Sequence, residues 1–316
     1  MPKFTIVHTT TYNYDHKVYD SANQIMLYPM VDEWQEVLTH QLKITGEPSV
    51  KVFDDYYGNS VGTFSNPELH TELQIESTLI INTLKKILPN SSIFLDDQWL
   101  ALKEMDTQIQ FINFLKQEHF KASDEILKEV DIESHKDESP LQVAEYFCDY
   151  VFKNFQYEKG VTTVETTIDE IWKLKSGVCQ DFAHILLVML RYLNIPARYV
   201  SGYICPNRNG MRGEGATHAW VEAYIPEYGW LGLDPTNNCM VDDMHVRLAV
   251  GRNFVDCSPV KGTYKGSSSH TLSVKVIVSY ENDPQPKLDE IIEEEINEKP
   301  QNSYRRFMEI QQQQQQ

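Results

Sequence analysis

The sequence predicts an α+β protein, with an amino-terminal antiparallel β-sandwich domain followed by a core in which one buried helix packs on an antiparallel sheet. Residues 69–81 alternate between apolar and polar side chains, as a half-exposed strand does. Residues 178–193 carry apolar side chains on every face, which is typical of a buried helix. Three strand-like segments follow between residues 197 and 234, and a hairpin turn separates the last two.

The composition is typical of a globular protein. The chain has 316 residues, 41% of them hydrophobic, which is enough for about two domains. Its net charge of −18 argues against nucleic-acid binding, because that function requires a basic surface. The sequence contains neither a basic-then-apolar amino-terminal signal nor an apolar run long enough to span a bilayer, so we expect no membrane partner.

The five cysteines indicate a reducing environment. They are Cys148, Cys179, Cys205, Cys239 and Cys257. Their number is odd and no C-x-x-C pair occurs, so we expect no disulfide framework and a cytoplasmic location. A zinc site built from them with His218 is disfavoured, because zinc ligands usually come in closely spaced pairs. No acidic loop has the ligand pattern of a calcium site, and we expect no cofactor.

The β-sandwich domain is predicted to span residues 1–85. Strands are expected at residues 4–14, 37–44, 50–54 and 69–81, where β-branched residues or alternation dominate. One face of the last strand is predicted to carry Leu69, Leu73, Ile75, Leu79 and Ile81.

A helical connector is predicted at residues 86–138, and the helix-on-sheet core at residues 139–281. In the core, Ser139-Pro140 is predicted to begin a helix, and the capping box Thr167–Glu170 begins a short second helix. A strand at His270–Tyr280 is expected to close the core sheet. The acidic, glutamine-rich segment 282–316 is predicted to be mostly disordered.

Cys179 lies at the polar tip of the apolar helix. The positive end of the helix dipole and the unpaired backbone N–H groups at this tip both favour the thiolate. His218 begins one of the following strands, and Asp234 ends the next strand, which the hairpin at 226–229 joins to it. Antiparallel neighbours bring such residues together, so the carboxylate can orient an imidazole that pairs with the thiol. The sequence therefore predicts a Cys-His-Asp triad.

Three segments around these residues resemble the transglutaminase-like superfamily. They are Gly177-Val178-Cys179-Gln180-Asp181-Phe182-Ala183, Thr217-His218-Ala219-Trp220-Val221-Glu222 and Asp234-Pro235-Thr236. Residues 4–84 resemble the amino-terminal β domain of the bacterial branch, and residues 251–262 its carboxy-terminal segment, although Cys257-Ser258 replaces apolar residues and proline there.

The resemblance implies a papain-like core and acyl transfer through a thioester. By position, Cys179 is the nucleophile, His218 the general base and acid, and Asp234 the orienting residue. We predict a cysteine protease or transglutaminase-like acyltransferase acting on a peptide, protein or amide substrate, with hydrolysis favoured over cross-linking, because cross-linking needs room for two large substrates. The alternative is a non-catalytic peptide-binding or scaffold protein. The oligomeric state is left open.

Other residues near the triad are candidates for supporting roles. The backbone N–H of Cys179 is the natural first oxyanion donor. The candidates for the second donor are Tyr157, Trp172 and Gln180. Trp220, on the same face of its strand as His218, and Tyr203 are candidate substrate-binding residues, with a core position as the alternative. His184 points away from Cys179 on the same helix, so we expect it to have a packing or supporting role.

Overall fold

The structure is a computed structural model, and it divides the chain into two compact units. It describes residues 2–85, 94–117, 120–135, 137–205, 211–212 and 217–280, together with the backbone at 296–298. One unit contains Met1–Leu84 and Ser258–Gln316, and the other contains Lys85–Cys257. None of the helices in these described ranges is both long and apolar enough to cross a bilayer.

The secondary structure elements are numbered along the chain. The strands are β1 (Lys3–Ile25), β2 (Gln35–Ile44), β3 (Lys51–Asp54), β4 (Ser60–Asn66), β5 (His70–Thr83), β6 (Gln156–Tyr157), β7 (Ser176–Gly177), β8 (Ala197–Ile204), β9 (Thr217–Ile225), β10 (Gly229–Asp234), β11 (Cys239–Met240), β12 (His245–Gly251), β13 (Val260–Lys265), β14 (His270–Tyr280) and β15 (Ile296–Glu298). The α-helices are α1 (Leu95–Glu104), α2 (Ile109–Leu115), α3 (Ser123–Val130), α4 (Pro140–Asn154), α5 (Ile168–Leu174), α6 (Cys179–Tyr192) and α7 (Phe254–Cys257).

The first unit is an antiparallel β domain organised by the long strand β1. The first half of β1 pairs with β5 and β14, and its second half pairs with β4 and β13. The predicted apolar face of β5 is buried, because Leu73, Ile75, Leu79 and Ile81 have no exposed surface. Leu69 was assigned to this face wrongly: it precedes the strand and is 63% exposed.

Strand β14 is present as predicted, but it belongs to a different sheet. It pairs along its whole length with β1, from Phe4 opposite Tyr280 to Tyr14 opposite His270. The prediction that this strand closes the core sheet is therefore wrong. Alternation along a strand shows that one face is buried, but it does not identify the neighbouring strand. The second unit accordingly ends at Cys257 and not at residue 281. The predicted tail lies outside the described residues, apart from the backbone of β15.

The segment predicted to be a helical connector belongs to the second unit. The carboxylate of Asp169 in α5 accepts hydrogen bonds from the backbone N–H groups of Lys121 (3.1 Å) and Ala122 (2.7 Å). Gln117 donates to the carbonyl of Val188 in α6 at 2.7 Å. These bonds attach Gln117, Lys121 and Ala122 to α6 and α5.

The second unit contains the predicted helix-on-sheet core. Its antiparallel sheet has the strand order β11-β10-β9-β8-β12, and α6 packs against β8 and β9. Helix α4 begins at Pro140 after Ser139, and α5 begins after the capping box at Thr167, both as predicted. Helix α6 is almost entirely buried, which explains its apolar residues on every face. The predicted fold class is thereby confirmed.

Candidate active site

Cys179 is the first residue of α6, and the turn before it is fixed by Asp181. The Asp181 carboxylate accepts hydrogen bonds from the backbone N–H of Val178 (2.8 Å) and the hydroxyl of Thr162 (2.7 Å). Asp181 is 1% exposed, and its burial raises the pKa of the carboxyl against the opposing effect of these two bonds. Cys179 itself is only partly buried. The fold thus holds a thiol at the end of a rigid helix.

Two neighbouring strands bring His218 and Asp234 together. Strands β9 and β10 are antiparallel, and their ladder ends with Leu233 opposite Val221. Asp234 directly follows Leu233, and His218 lies three residues before Val221. The Nε2 atom of His218 lies 2.8 Å from Oδ2 of Asp234. Both side chains have no exposed surface. The predicted hairpin therefore makes the predicted contact.

The Asp234 carboxylate is held by several donors besides His218. Its Oδ1 accepts the backbone N–H groups of Thr236 (2.9 Å) and Asn237 (3.3 Å). Its Oδ2 accepts the Nδ2–H of Asn237 at 2.7 Å, and His245 Nε2 lies 3.4 Å from the same oxygen. Donors on both oxygens fix the plane of the carboxylate, which in turn orients the imidazole of His218.

The pair is strongly polarised. Burial lowers the pKa of His218, but the charge and hydrogen bond of Asp234, together with the neighbouring Cys179 thiol, raise it to about 10. Burial raises the pKa of Asp234, but His218 and His245 outweigh this effect and hold it well below its usual range. Both directions favour an imidazolium beside a carboxylate.

The contact with Asp234 uses one ring nitrogen of His218 and leaves Nδ1 over. Nδ1 is buried and makes no conventional hydrogen bond within the described part of the chain, whereas the Cys179 side chain interacts with the ring and raises its pKa. The three predicted residues are therefore brought together, with the imidazole between the thiol and the carboxylate. Such an arrangement is suited to nucleophilic catalysis by a thiol.

Comparison with known proteins agrees with this architecture. Residues 129–235 match the transglutaminase-like superfamily, and residues 4–82 match the bacterial transglutaminase-like N-terminal region. An uncharacterized protein of Mycobacterium leprae is 30% identical over 283 residues, which cover 88% of this chain and 99% of that protein. The chain belongs to the transglutaminase-like superfamily.

Two other similarities concern named proteins. The crystal structure of a provisionally assigned cysteine protease from Cytophaga hutchinsonii superimposes with a TM-score of 0.70 at 22% identity, covering 93% of this chain and 96% of that one. It shows that the fold is shared. A protein-glutamine gamma-glutamyltransferase of Pseudomonas aeruginosa is 40% identical over 73 residues, which are 22% of this chain and 11% of that protein.

Within this transglutaminase-like site, the two aromatic residues predicted to bind substrate are core residues. Trp220 and Tyr203 have no exposed surface, so neither offers a surface to a substrate, contrary to the prediction. Trp220 does lie on the face of His218, with ring centroids 6.2 Å apart. Alternation along β9 correctly predicted that Trp220 shares a face of the strand with His218. It did not show that this face is covered at Trp220.

The other supporting candidates fall into different roles. Trp172 cannot serve as an oxyanion donor in this conformation, because its indole N–H donates to Glu125 at 3.0 Å. Gln180 is partly buried next to Cys179, and Tyr157 packs 6.2 Å from Phe182, between ring centroids. His184 faces away from the triad, and its Nε2 accepts the backbone N–H of Phe254 at 3.2 Å, in line with the predicted packing role.

Sequence reasoning missed His245 and Asn237, which both contact the triad carboxylate. Asn237 follows Asp234 closely, and an Asp-Pro-Thr-Asn turn is a signal for such side-chain bonding. His245 is eleven residues away and begins a strand, so no local pattern marks it. Most of the chain between β8 and β9 lies outside the described residues. Within it, the backbone N–H of Arg212 donates to Asn237 at 2.7 Å.

One group of side chains in the described residues has the composition of a metal site. Ligand atoms of His218, Asp234 and His245 lie within 4.8 Å of one another. However, both imidazoles direct Nε2 at the same carboxylate oxygen, and three further donors occupy that carboxylate. A metal ion would bind a lone pair on each Nε2 atom. The contacts with the carboxylate instead require a proton on each Nε2 atom, so the two arrangements exclude each other. The donor set fits a hydrogen-bonded network instead.

Proposed function

We propose that this chain is a cysteine-dependent acyl-transfer enzyme, with Cys179 as nucleophile, His218 as general acid and base, and Asp234 as orienting residue. The observation that carries the proposal is the buried 2.8 Å contact between His218 Nε2 and Asp234, with Nδ1 left to the thiol. Family membership supports the same chemistry, and so does the position of Cys179 at a helix tip.

The reaction begins with the thiolate of Cys179 and the imidazolium of His218. The sulfur attacks the carbonyl carbon of an amide, and the negative charge moves to the carbonyl oxygen. The C–N bond then breaks while Nδ1 of His218 gives its proton to the leaving amine, which leaves a thioester. A water molecule attacks the thioester, its proton passes to His218, and the C–S bond breaks. The acid is released and the ion pair is restored.

The donors for the oxyanion come from the helix tip. The first backbone hydrogen bonds of α6 run from the N–H groups of Asp181 and Phe182 to the carbonyl of Val178. The N–H groups of Cys179 and Gln180 precede them and have no acceptor within the helix. When the sulfur of Cys179 has attacked the carbonyl carbon, the N–H of Cys179 is the first donor that the oxyanion on this tetrahedral carbon would meet.

Hydrolysis is the favoured outcome. The Nδ1 atom of His218 has almost no accessible surface in this structure, so any acceptor must enter the space that the leaving amine vacates. Water requires less room there than the side chain of a protein lysine. Transfer to an amine is the second candidate, because the Pseudomonas aeruginosa relative is a glutamyltransferase.

The test uses the full chain and two probes. Fluorescein-labelled casein reports hydrolysis through the release of soluble peptides, and dansylcadaverine with dimethylated casein reports amine transfer. We expect peptide release, and none from the Cys179→Ala variant. Amine incorporation that exceeds hydrolysis would overturn the preference for water.

A second readout does not depend on the choice of substrate. Iodoacetamide should alkylate Cys179 at neutral pH faster than it alkylates glutathione, with peptide mass spectrometry separating Cys179 from the partly buried Cys239. Equal rates, together with no turnover of either casein probe, would favour the non-catalytic scaffold alternative.

A further inference from the structure

A second buried histidine lies beside the triad carboxylate. His245 has no exposed side-chain surface, and its Nε2 is 3.4 Å from the same Oδ2 of Asp234 that His218 contacts. The centroids of the two imidazole rings are 6.3 Å apart. The rings of Trp220 and His245 pack edge-on with their centroids 5.3 Å apart, which restrains the His245 ring.

The fold brings His245 to this position from the far side of the sheet. His245 begins β12, which pairs with β8, whereas Asp234 ends β10. The chain between β11 and β12 therefore crosses the ends of the intervening strands. A turn closes the crossing: His245 N–H donates to the carbonyl of Asp242 (3.2 Å), and Cys205 N–H donates to that of Met244 (2.8 Å). This turn sets the ring at the end of β10.

The hydrogen-bond partners of Nδ1 of His245 determine whether Nε2 of the same ring carries a proton. Nδ1 of His245 lies 3.4 Å from the backbone N–H of Asp242 and 3.3 Å from its Oδ1. A neutral ring accepts the N–H at Nδ1 and carries its proton on Nε2. A charged ring donates Nδ1–H to Oδ1 and also carries a proton on Nε2. The remaining tautomer would place a ring lone pair against a carboxylate oxygen. In both favourable states, Nε2–H points at Asp234.

We propose that His245 is a positioning residue that donates Nε2–H to Asp234 and so holds the carboxylate in the orientation that His218 requires. This inference rests on the proposed function of the triad. Two imidazoles that donate to one oxygen prevent the carboxylate from rotating. They also share its negative charge, so the interaction with His218 uses only part of it. The titratable groups facing His245 are Asp234, His218 and Asp242, the last of which is 43% exposed. Burial lowers the pKa of His245, but its bonds to the two aspartates raise it.

Two substitutions separate positioning from mere packing. His245→Gln places an amide N–H near the position of Nε2, whereas His245→Phe keeps an aromatic ring without a donor. We expect His245→Phe to lower kcat on labelled casein about ten-fold, the value of one hydrogen bond to a charged group, with KM unchanged. The pH profile of Cys179 alkylation should shift in the same variant. His245→Gln should recover most of both losses.

Wild-type values in a folded His245→Phe variant, or equal defects in both variants, would overturn the proposal. Circular dichroism establishes whether each variant is folded. The corresponding measurement on the wild-type chain needs no substitution in the site: ¹⁵N NMR of the histidine rings should find the proton of neutral His245 on Nε2. A neutral ring protonated on Nδ1, with a bare Nε2, would contradict the inference. Slow alkylation of wild-type Cys179 would instead contradict the proposed function, whichever tautomer is found.

Discussion

The Oδ2 atom of Asp234 lies 2.8 Å from Nε2 of His218, and neither side chain has any exposed surface. A buried ion pair of this kind is costly to break, because the remaining partner keeps its charge without compensation. Asp234 also accepts two backbone N–H groups from the turn that follows it. The carboxylate is therefore both the electrostatic partner of the imidazole and the centre of the local turn.

Replacing Asp234 should separate these two roles. Asp234→Ala leaves several buried donors without an acceptor and should lower the free energy of unfolding by about 3–5 kcal/mol. Asp234→Asn keeps an oxygen for the backbone donors of the turn and should cost less. Both should reduce casein hydrolysis by about 10²–10⁴-fold, because neither fixes the charged imidazole. Urea denaturation and peptide release measure the two effects. Full activity in Asp234→Asn would contradict the orienting role.

The His218–Asp234 pair predicts how stability varies with pH. The pKa of His218 is raised in the folded state to about 10. Its stabilising contribution is therefore complete below the unfolded pKa of about 6.5 and is lost as the pH rises through the folded value. The pKa of Asp234 is lowered, so its contribution is present above the unfolded value of about 3.9 and is lost as the pH falls.

His218→Gln is the variant that isolates this contribution. The difference in unfolding free energy between wild type and His218→Gln should shrink by about 2 kcal/mol from pH 6.5 to pH 8.5. Urea denaturation at several pH values measures it. A difference that stays constant over this range would show that His218 is not held as an imidazolium.

His184 should have the opposite dependence on pH. Burial, with a smaller effect of Arg191, lowers the pKa of His184 to about 4, and its Nε2 accepts the Phe254 N–H as a neutral ring. A group with a lowered histidine pKa loses stability as the pH falls from 6.5 towards 4, because the unfolded chain binds the proton first. We expect a loss of about 1–2 kcal/mol between pH 6.5 and pH 4.5.

The matched variant for this effect is His184→Gln, whose amide oxygen can accept the same N–H but cannot be charged over this range. Its unfolding free energy should fall less than that of wild type in acid. Subtraction of the two curves is needed, because burial also lowers the pKa of His8 in the other unit to about 4. Parallel curves would mean that His184 is not held neutral by the fold.

The proposed triad could be predicted from the sequence because each of its members is marked locally. Cys179 begins an apolar helix, and a short hairpin joins the strands of His218 and Asp234, so nearest neighbours in sequence are also neighbours in the sheet. His245 contacts the same carboxylate from β12, which is three places from β10 in the sheet, on the other side of β9 and β8. Such a contact depends on strand order, which local periodicity does not contain.

The same limit explains the misplaced strand β14. Its alternation correctly predicted a strand at residues 270–280. This strand pairs along its whole length with β1, which lies at the opposite end of the sequence. The strand that pairs with β14 is far from it in sequence, and local alternation does not identify such a partner. Burial of Trp220 and Tyr203 is a similar case, because alternation along a strand does not show whether a face of the sheet is covered.

The turn before Cys179 supplies the last prediction. A Cβ added at Gly177 would lie 2.8 Å from the Cβ of Asp181, which is closer than such atoms pack. Gly177→Ala should therefore displace Asp181 from the N–H of Val178 and the hydroxyl of Thr162. We expect a loss of about 1–3 kcal/mol in unfolding free energy and slower alkylation of Cys179, because the cap that aligns the helix tip is lost.

Gly58→Ala is the control for a general loss of stability. Gly58 lies in a turn of the β domain at φ +81° with open space around it, so alanine there should cost about 1 kcal/mol through its backbone conformation alone. Alkylation of Cys179 should be unchanged in this variant. If Gly177→Ala also alkylates at the wild-type rate, the reactivity of Cys179 does not depend on the Asp181 cap.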